Sequence, residues 1–261
     1  MPLIVSISSL KGGVGKTSVT LGLTSAALHA GQKVLVIDLD PHGDASTGLN
    51  APTTGADIGS MLADPERFSL RDNIVLSGWN AIAQGQKNSD GVVHVVRGSA
   101  SSTPLEQAPL PQYLSRLLNL LQGNVDDYDV VFIDCPPTLG VLTSMAWAAS
   151  DRVISVAEPS LFSVAGTERT LRAITRFEEN SQYSVSSASV ILNKVRPHSN
   201  EHSYRVEEMK VLFGDLVADQ FLEDFEEFQR VQGSAYPMHY WPSDDAQRCA
   251  AVFSDILQGL T

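Results

Sequence analysis

The sequence predicts an α/β fold: a mainly parallel, doubly wound sheet with helices on both faces. Three observations predict it. A strand, a glycine loop and a helix follow one another over residues 3–31. Two apolar runs, 34–37 and 130–133, each end in aspartate, and two more, 153–157 and 190–195, are separated by a stretch of helical pattern. The chain has 261 residues, enough for one well-buried α/β domain or two small ones, and no shift in composition divides it, so residues 1–261 are read as a single domain. Hydrophobic residues make up 43% and charged residues 18%, the balance of a globular protein. No apolar run approaches a membrane span and no signal peptide opens the chain, so a cytoplasmic location is expected. Cys135 and Cys249 form no metal pattern and suggest no disulfide framework; Cys135, directly after an apolar strand, is expected to be a buried small residue.

The first element carries the densest pattern. Leu3-Ile4-Val5-Ser6-Ile7 reads as a buried strand, and the stretch from Val19 to Ala30, closed by Gly31, reads as a helix. Between them lies Ser9-Leu10-Lys11-Gly12-Gly13-Val14-Gly15-Lys16-Thr17-Ser18. Glycines let backbone N–H groups turn inward without Cβ clashes, and the helix N-terminus adds partial positive charge. Lys16 adds a full charge, and the Thr17 hydroxyl suits Mg²⁺. The layout is a phosphate cradle for a nucleoside triphosphate, with Lys11, Gly12, Gly13, Val14, Gly15, Lys16, Thr17 and Ser18 as its candidate contacts. The strict pattern G-x-x-x-x-G-K-[ST] requires glycine where this chain has Leu10, so the loop is a variant of the P-loop.

Its distinguishing feature is the second lysine, Lys11, at the loop entrance. Lys11-Gly12-Gly13-Val14-Gly15-Lys16-Thr17 resembles the deviant Walker A signature K-G-G-x-G-K-[ST] of the ParA/MinD family of ATPases. The resemblance implies a P-loop NTPase fold, ATP and Mg²⁺ as ligands, and an ATP-dependent homodimer in which Lys11 reaches the phosphates of the partner's nucleotide.

The next two apolar runs extend it. Val34-Leu35-Val36-Ile37-Asp38-Leu39-Asp40-Pro41-His42-Gly43-Asp44 reads as a buried parallel strand that delivers two carboxylates at its C-terminal edge, where ligands bind in open α/β sheets. It resembles the family's switch I segment D-x-D-P-Q-G-N, which implies that Asp40 orients or activates the attacking water and that Asp38 helps hold the Mg²⁺ shell. His42 and Asp44 stand where the family has Gln and Asn. Tyr128-Asp129-Val130-Val131-Phe132-Ile133-Asp134-Cys135-Pro136-Pro137 reads as a Walker B strand, with Asp134 emerging at its end to reach Mg²⁺ through water. Asp134-Cys135-Pro136-Pro137-Thr138-Leu139-Gly140 resembles the family's D-x-P-P-S-L-G.

Residues 50–105 carry less information. Ile58 to Leu62 reads as a short helix broken at Ala63-Asp64-Pro65, and Gly91 to Val96 as a strand. Ser99 to Pro111 reads as a loop and Gln112 to Leu121 as a helix. Further on, Glu158-Pro159-Ser160-Leu161-Phe162-Ser163-Val164-Ala165-Gly166 resembles the family's E-P-x-x-F-S-x-x-G turn before a long helix. On that helix Arg169, Arg172 and Arg176 share one face, either to meet phosphates or as a solvated stripe. Val190-Ile191-Leu192-Asn193-Lys194-Val195-Arg196 ends a strand. Where the GTPase fingerprint N-K-x-D has an aspartate that reads guanine, this chain has Arg196, which argues for adenine. By resemblance, Asn193 contacts the base, and Arg196, Arg205 and Lys210 lie where ParA-like proteins carry DNA-contacting cations. His198 and His202 are spaced like ligands on a helix but lack a recognisable third.

The clearest departure is Phe221-Leu222-Glu223-Asp224-Phe225-Glu226-Glu227-Phe228, where the family has a strand ending in I-P-R. Leu222 replaces the proline that packs on adenine, and Phe221, Phe225 and Phe228 recur at helical spacing, which predicts a short helix burying aromatics. Asp244 to Leu260 reads as a final helix without the basic amphipathic character of the MinD membrane anchor. The net charge of −12 supplies no basic field for nucleic acid, so DNA binding needs a local patch.

Two functions follow. One is a ParA-like partition ATPase, slow until a ParB-like stimulator acts, whose ATP dimer binds DNA nonspecifically on the nucleoid and moves a chromosome, plasmid or other cargo. The alternative is a ParA-related division-site or polarity protein acting through protein partners with little DNA binding. An iron–sulfur carrier lacks its cysteines, and sequence-specific operator binding lacks a helix-turn-helix before the loop.

Overall fold

In the computed structural model, which describes residues 1–86, 90–185 and 187–260, the apolar runs become strands β1 (Leu3–Ser8), β2 (Lys33–Asp38), β3 (Val75–Leu76), β4 (Val92–Val96), β5 (Val130–Asp134), β6 (Arg152–Ala157), β7 (Ser187–Val195) and β8 (Val217–Glu223). They form one eight-stranded sheet in the order β3-β4-β2-β5-β1-β6-β7-β8. All neighbours are parallel except β3 with β4. Parallel strands need crossovers, and helices laid on both faces supply them. This is the P-loop NTPase architecture expected from the sequence.

Alternation along the central strands sorts their side chains onto two faces. Val5, Val34, Val36, Val130, Phe132 and Ile154 face helix α1 (Lys16–His29) and the C-terminal helix Asp244–Leu260, with Phe253 fully buried between them. Leu35, Ile37, Val131 and Ile133 face the opposite layer, which includes helices Ile58–Ala63, Arg116–Leu121 and Val141–Ala148. Beyond β6 that same side is covered by helices Leu161–Asn180 and Asn200–Phe213. β5 is buried at every position because it lies between β1 and β2 and under helices on both faces.

Several boundaries differ from the sequence reading. Helix α1 starts at Lys16 rather than Val19, because Gly15 adopts φ 95° and turns the chain directly into the first helical turn. Residues 100–107, expected as loop, form a 3₁₀ helix. The helix expected over 112–121 is two short pieces, Leu110–Tyr113 and Arg116–Leu121. The largest correction concerns residues 221–228. Phe221 belongs to β8, and the helix begins only at Glu226 and runs to Gly233. Phe221 packs with the layer of Val206 and Met209, whereas Phe225 and Phe228 pack on the opposite face with the α1 cluster. The helical spacing of the three rings is therefore a coincidence across a strand–helix junction, and pairing of β8 with β7 overrides it.

Candidate nucleotide site

The site is built at the C-terminal edge of the three central strands. The loop after β1 reaches positive φ at Gly13 (78°) and Gly15 (95°). Gly15 is required for a second reason: a Cβ there would sit 2.2 Å from Asn193 Nδ2. That approach exists because the end of β7 clamps the loop. Asn193 Nδ2 donates to the Val14 carbonyl at 2.8 Å, and Lys194 Nζ donates to the Gly13 carbonyl at 2.6 Å. Lys194 adopts φ 58°, an uncommon conformation for a residue with a side chain, as it makes this contact. The resemblance assigns Asn193 to the base and gives Lys194 no role; in the structure both side chains hold the glycine loop, and their adjacency in the sequence is the signal for it. The Val14 side chain is buried in the core, so only its backbone faces a ligand.

The carboxylates expected to gather do so. β2 pairs with β5 so that Asp38 lies opposite Asp134. Thr17 Oγ1 and Thr20 Oγ1 each donate to Asp134 at 2.8 Å, and the Ser46 N–H and hydroxyl each donate to Asp38 Oδ2 at 2.7 Å. Thr20 and Ser46 are not legible as site residues; Thr20 lies one helical turn past Thr17, and Ser46 six residues past Asp40. Asp38 and Asp134 are fully buried. Burial pushes both carboxyls above the usual range, with Asp134 adding repulsion at Asp38, while the Thr17 and Thr20 hydroxyls partly offset the rise at Asp134. Asp38 Oδ1 is buried without a hydrogen-bond partner among the described residues. Two adjacent acids with an orphaned oxygen beside a threonine hydroxyl form a hard-oxygen set short of positive charge, which fits Mg²⁺. Thr17, Asp38 and Asp134 are the residues placed to hold it.

Thr17 also lines a cavity of about 390 Å³, and Asp134, itself outside the lining, meets it through the Thr17 hydroxyl. Gly12, Gly13, Gly15, Lys16, Thr17, Ser18 and Asp40 line one part of it, and Phe225, Phe228, Gln229 and Gln232 another. Lys16 and Asp40 are each only 7% exposed. Asp40 Oδ1 accepts the His42 N–H at 3.0 Å, which fixes the carboxylate in its turn. Lys11 is turned away from this cavity onto Glu158 of its own chain. Leu222, where the family proline was expected to be replaced, is buried in the core and is not part of the cavity lining.

The five arginines singled out for nucleic acid lie on the side of the sheet covered by helices Leu161–Asn180 and Asn200–Phe213. Arg169, Arg172 and Arg176 are exposed together, as the spacing predicted. Arg172 pairs with Glu168, Arg196 with Asp224 at 2.7 Å, and Arg205 with Glu201 and Glu208 at 2.7 and 2.8 Å. Among the described residues, Arg169 and Arg176 are the two of the five whose guanidinium groups meet no acid. His202 Nδ1 accepts the Arg196 N–H, so that ring nitrogen serves the strand end. No helix among the described residues is long and apolar enough to cross a membrane.

Comparison with known proteins agrees with this geometry. A family model described as an AAA domain matches residues 3–187. The chain is 27% identical to the sporulation initiation inhibitor protein Soj of Bacillus subtilis over 259 residues, 98% of this chain and 97% of that protein. Its fold is similar to that of a plasmid partition protein from Borrelia burgdorferi bound to AMPPNP (TM-score 0.77, 18% identity, covering 99% of this chain and 100% of that one). It is also similar to that of cobyrinic acid a,c-diamide synthase from Mycobacterium smegmatis with bound ADP and magnesium (TM-score 0.76, 18% identity, covering 100% and 94%). With the doubled-lysine loop, the two buried aspartates and the family match over most of its length, the chain belongs to the AAA domain family and is a P-loop ATPase of the ParA/MinD type.

Proposed function

We propose that this chain is a Mg²⁺-dependent ATP hydrolase that dimerises with ATP and uses the nucleotide state to partition or position a cargo, binding DNA nonspecifically in its ATP form. The observation that carries the reading is a cavity lined by the glycine loop, Lys16, Thr17 and Asp40, with the buried Asp134 hydrogen-bonded to Thr17 and lying opposite Asp38 in the sheet. Glycine-loop N–H groups and Lys16 would bind the phosphates, Thr17, Asp38 and Asp134 would hold Mg²⁺, and Asp40 would position the attacking water. Bound Mg²⁺ supplies the positive charge that offsets charge developing on the transferred phosphoryl group. Lys11 of a second subunit completes the site, which couples turnover to dimerisation. The similarity to a plasmid partition protein supports the cargo-moving role.

A second reading, a positioning protein that works through protein contacts, is favoured by a specific observation: acids of the same chain neutralise Arg172, Arg196 and Arg205. The test separates the two. Binding of a long nonspecific duplex is measured at several salt concentrations with ATP, with ADP and for Lys16→Ala, with light scattering in parallel. ATP-dependent binding that weakens steeply with salt is the expected result. An ATP-dependent dimer that ignores DNA replaces the first reading with the second. Failure to bind ATP at all overturns both.

A further inference from the structure

The cavity extends past the phosphate cradle to a wall that the phosphate and Mg²⁺ groups do not use. We propose that the base of the nucleotide is selected at this wall, by the carboxamides of Gln229 and Gln232 over the Phe228 ring, on helix Glu226–Gly233. This rests on the nucleotide reading of the same cavity and names what recognises the base within it.

The strand edge at β7 is poorly supplied for the task. One Nδ2 hydrogen of Asn193 is committed to the Val14 carbonyl, so that side chain offers a ligand its Oδ1 and a single remaining N–H. Arg196 is paired with Asp224. Leu222 is 1% exposed and packs inward. Recognition therefore shifts to the helix that follows β8. Gln229 and Gln232 are three residues apart, share one face of that helix, and both line the cavity with Phe228. Neither carboxamide has a hydrogen-bond partner among the described residues. The helix that carries them is held in place: Trp241 Nε1 donates to Glu227 at 2.7 Å, Phe228 lies 6.1 Å from the Phe253 ring, and Val231 is buried. A supported helix bearing two unpaired amides is a preorganised recognition surface.

The chemistry fits adenine. A carboxamide presents a carbonyl acceptor beside an NH₂ donor, and adenine presents its N6 donor beside the N1 or N7 acceptor, so the two pair in two bonds. With one Nδ2 hydrogen held on the loop, the Asn193 carboxamide keeps a fixed orientation, and its Oδ1 is an acceptor that suits the N6 amino group. An aromatic face supplies stacking that every base accepts, so Phe228 contributes affinity and the amides contribute choice.

The test compares ATP, GTP and inorganic tripolyphosphate, each with Mg²⁺, by calorimetry on the wild-type chain, the Gln229→Ala/Gln232→Ala double variant and Lys16→Ala. In the double variant ATP binding is expected to weaken about tenfold or more while tripolyphosphate binding is unchanged and the preference for ATP over GTP falls. Lys16→Ala weakens all three ligands. Unchanged ATP affinity in the double variant, or equal weakening of ATP and tripolyphosphate, overturns the base wall and leaves the nucleotide reading standing. Wild-type protein that binds ATP no better than Lys16→Ala does overturns the nucleotide reading, and the base wall with it.

Discussion

The Lys11 ammonium is paired with the Glu158 carboxylate of its own chain, and the hydroxyls of Ser160 and Ser163 lie 3.4 and 3.5 Å from it. Glu158 follows β6, the strand beside β1, so the loop lysine has an acid waiting at the adjacent strand end. The resemblance assigns Lys11 to a partner's phosphates, and the intrachain pair competes with that use. Opening it is a cost of forming the proposed dimer.

Glu158→Gln is accordingly expected to favour the ATP dimer. The side chains are 34% and 26% exposed, so the pair is partly screened and contributes about 1 kcal/mol. Each dimer opens two such pairs, about 2 kcal/mol together, so the dimerisation midpoint with ATP should fall about thirtyfold, with no change in ADP. Sedimentation across a concentration series reads this directly. A higher midpoint in the variant would mean that Glu158 presents Lys11 to the partner instead of restraining it.

The segment 98–107 touches both loops that carry the acids. The Gly98 N–H donates to Ser46 Oγ at 3.0 Å, and Ser46 holds Asp38; at the other end Thr138 Oγ1 donates to Glu106 Oε1 at 3.0 Å, just beyond Asp134. Removing the acid with Glu106→Ala frees the Thr138 loop. Amide hydrogen exchange should quicken about fivefold at 136–140 and within 100–107, with α1 unaffected. Unchanged exchange at 136–140 would show that the loop is held by its prolines alone.

His239 makes the stability of the fold pH-dependent. Its backbone N–H donates to Ser25 Oγ at 3.0 Å and its Nδ1 lies 2.8 Å from that hydroxyl, so the hydroxyl donates to Nδ1; Nε2 meets Ser254 Oγ at 3.0 Å. Burial, with the stacked His29 ring adding repulsion, pushes the imidazole down to about 4. The unfolded chain takes up this proton near pH 6.5, before the folded chain does. The contribution of this group therefore falls as pH drops below 6.5 and levels off below about 4, a change of about 2 kcal/mol between pH 7.5 and 5. The raised carboxyls of Asp38 and Asp134 add stability over the same interval in both proteins, so His239 is read as a difference: by urea unfolding, wild type should lose about 2 kcal/mol relative to His239→Gln on going from pH 7.5 to 5. Equal losses would remove His239 as the cause.

Much of the phosphate site was legible because it is local. Gly12 to Thr17 must turn sharply and then enter a helix, and only a glycine-rich string between a strand and a helix does that. Asp38 and Asp134 were legible for a related reason, since a carboxylate that closes a doubly buried strand reaches the ligand edge of a parallel sheet. Ser46, Thr20, Lys194 and Glu106 were not, because a hydroxyl or a charge gains its partner across 8 to 181 positions of sequence that carry no spacing rule.

The sequence by itself determined the doubly wound sheet, the cradle and the acids, since apolar periodicity and glycine conformation act within a few residues. Tertiary structure alone decided that Phe221 lies in a strand while Phe228 opens onto the cavity, and that Gln229 and Gln232 stand free beside it. It also decided that Lys11 rests on Glu158. Each of these depends on which strand edge lies next to which, and that order, with β1 between β5 and β6, is set by burial of the whole sheet.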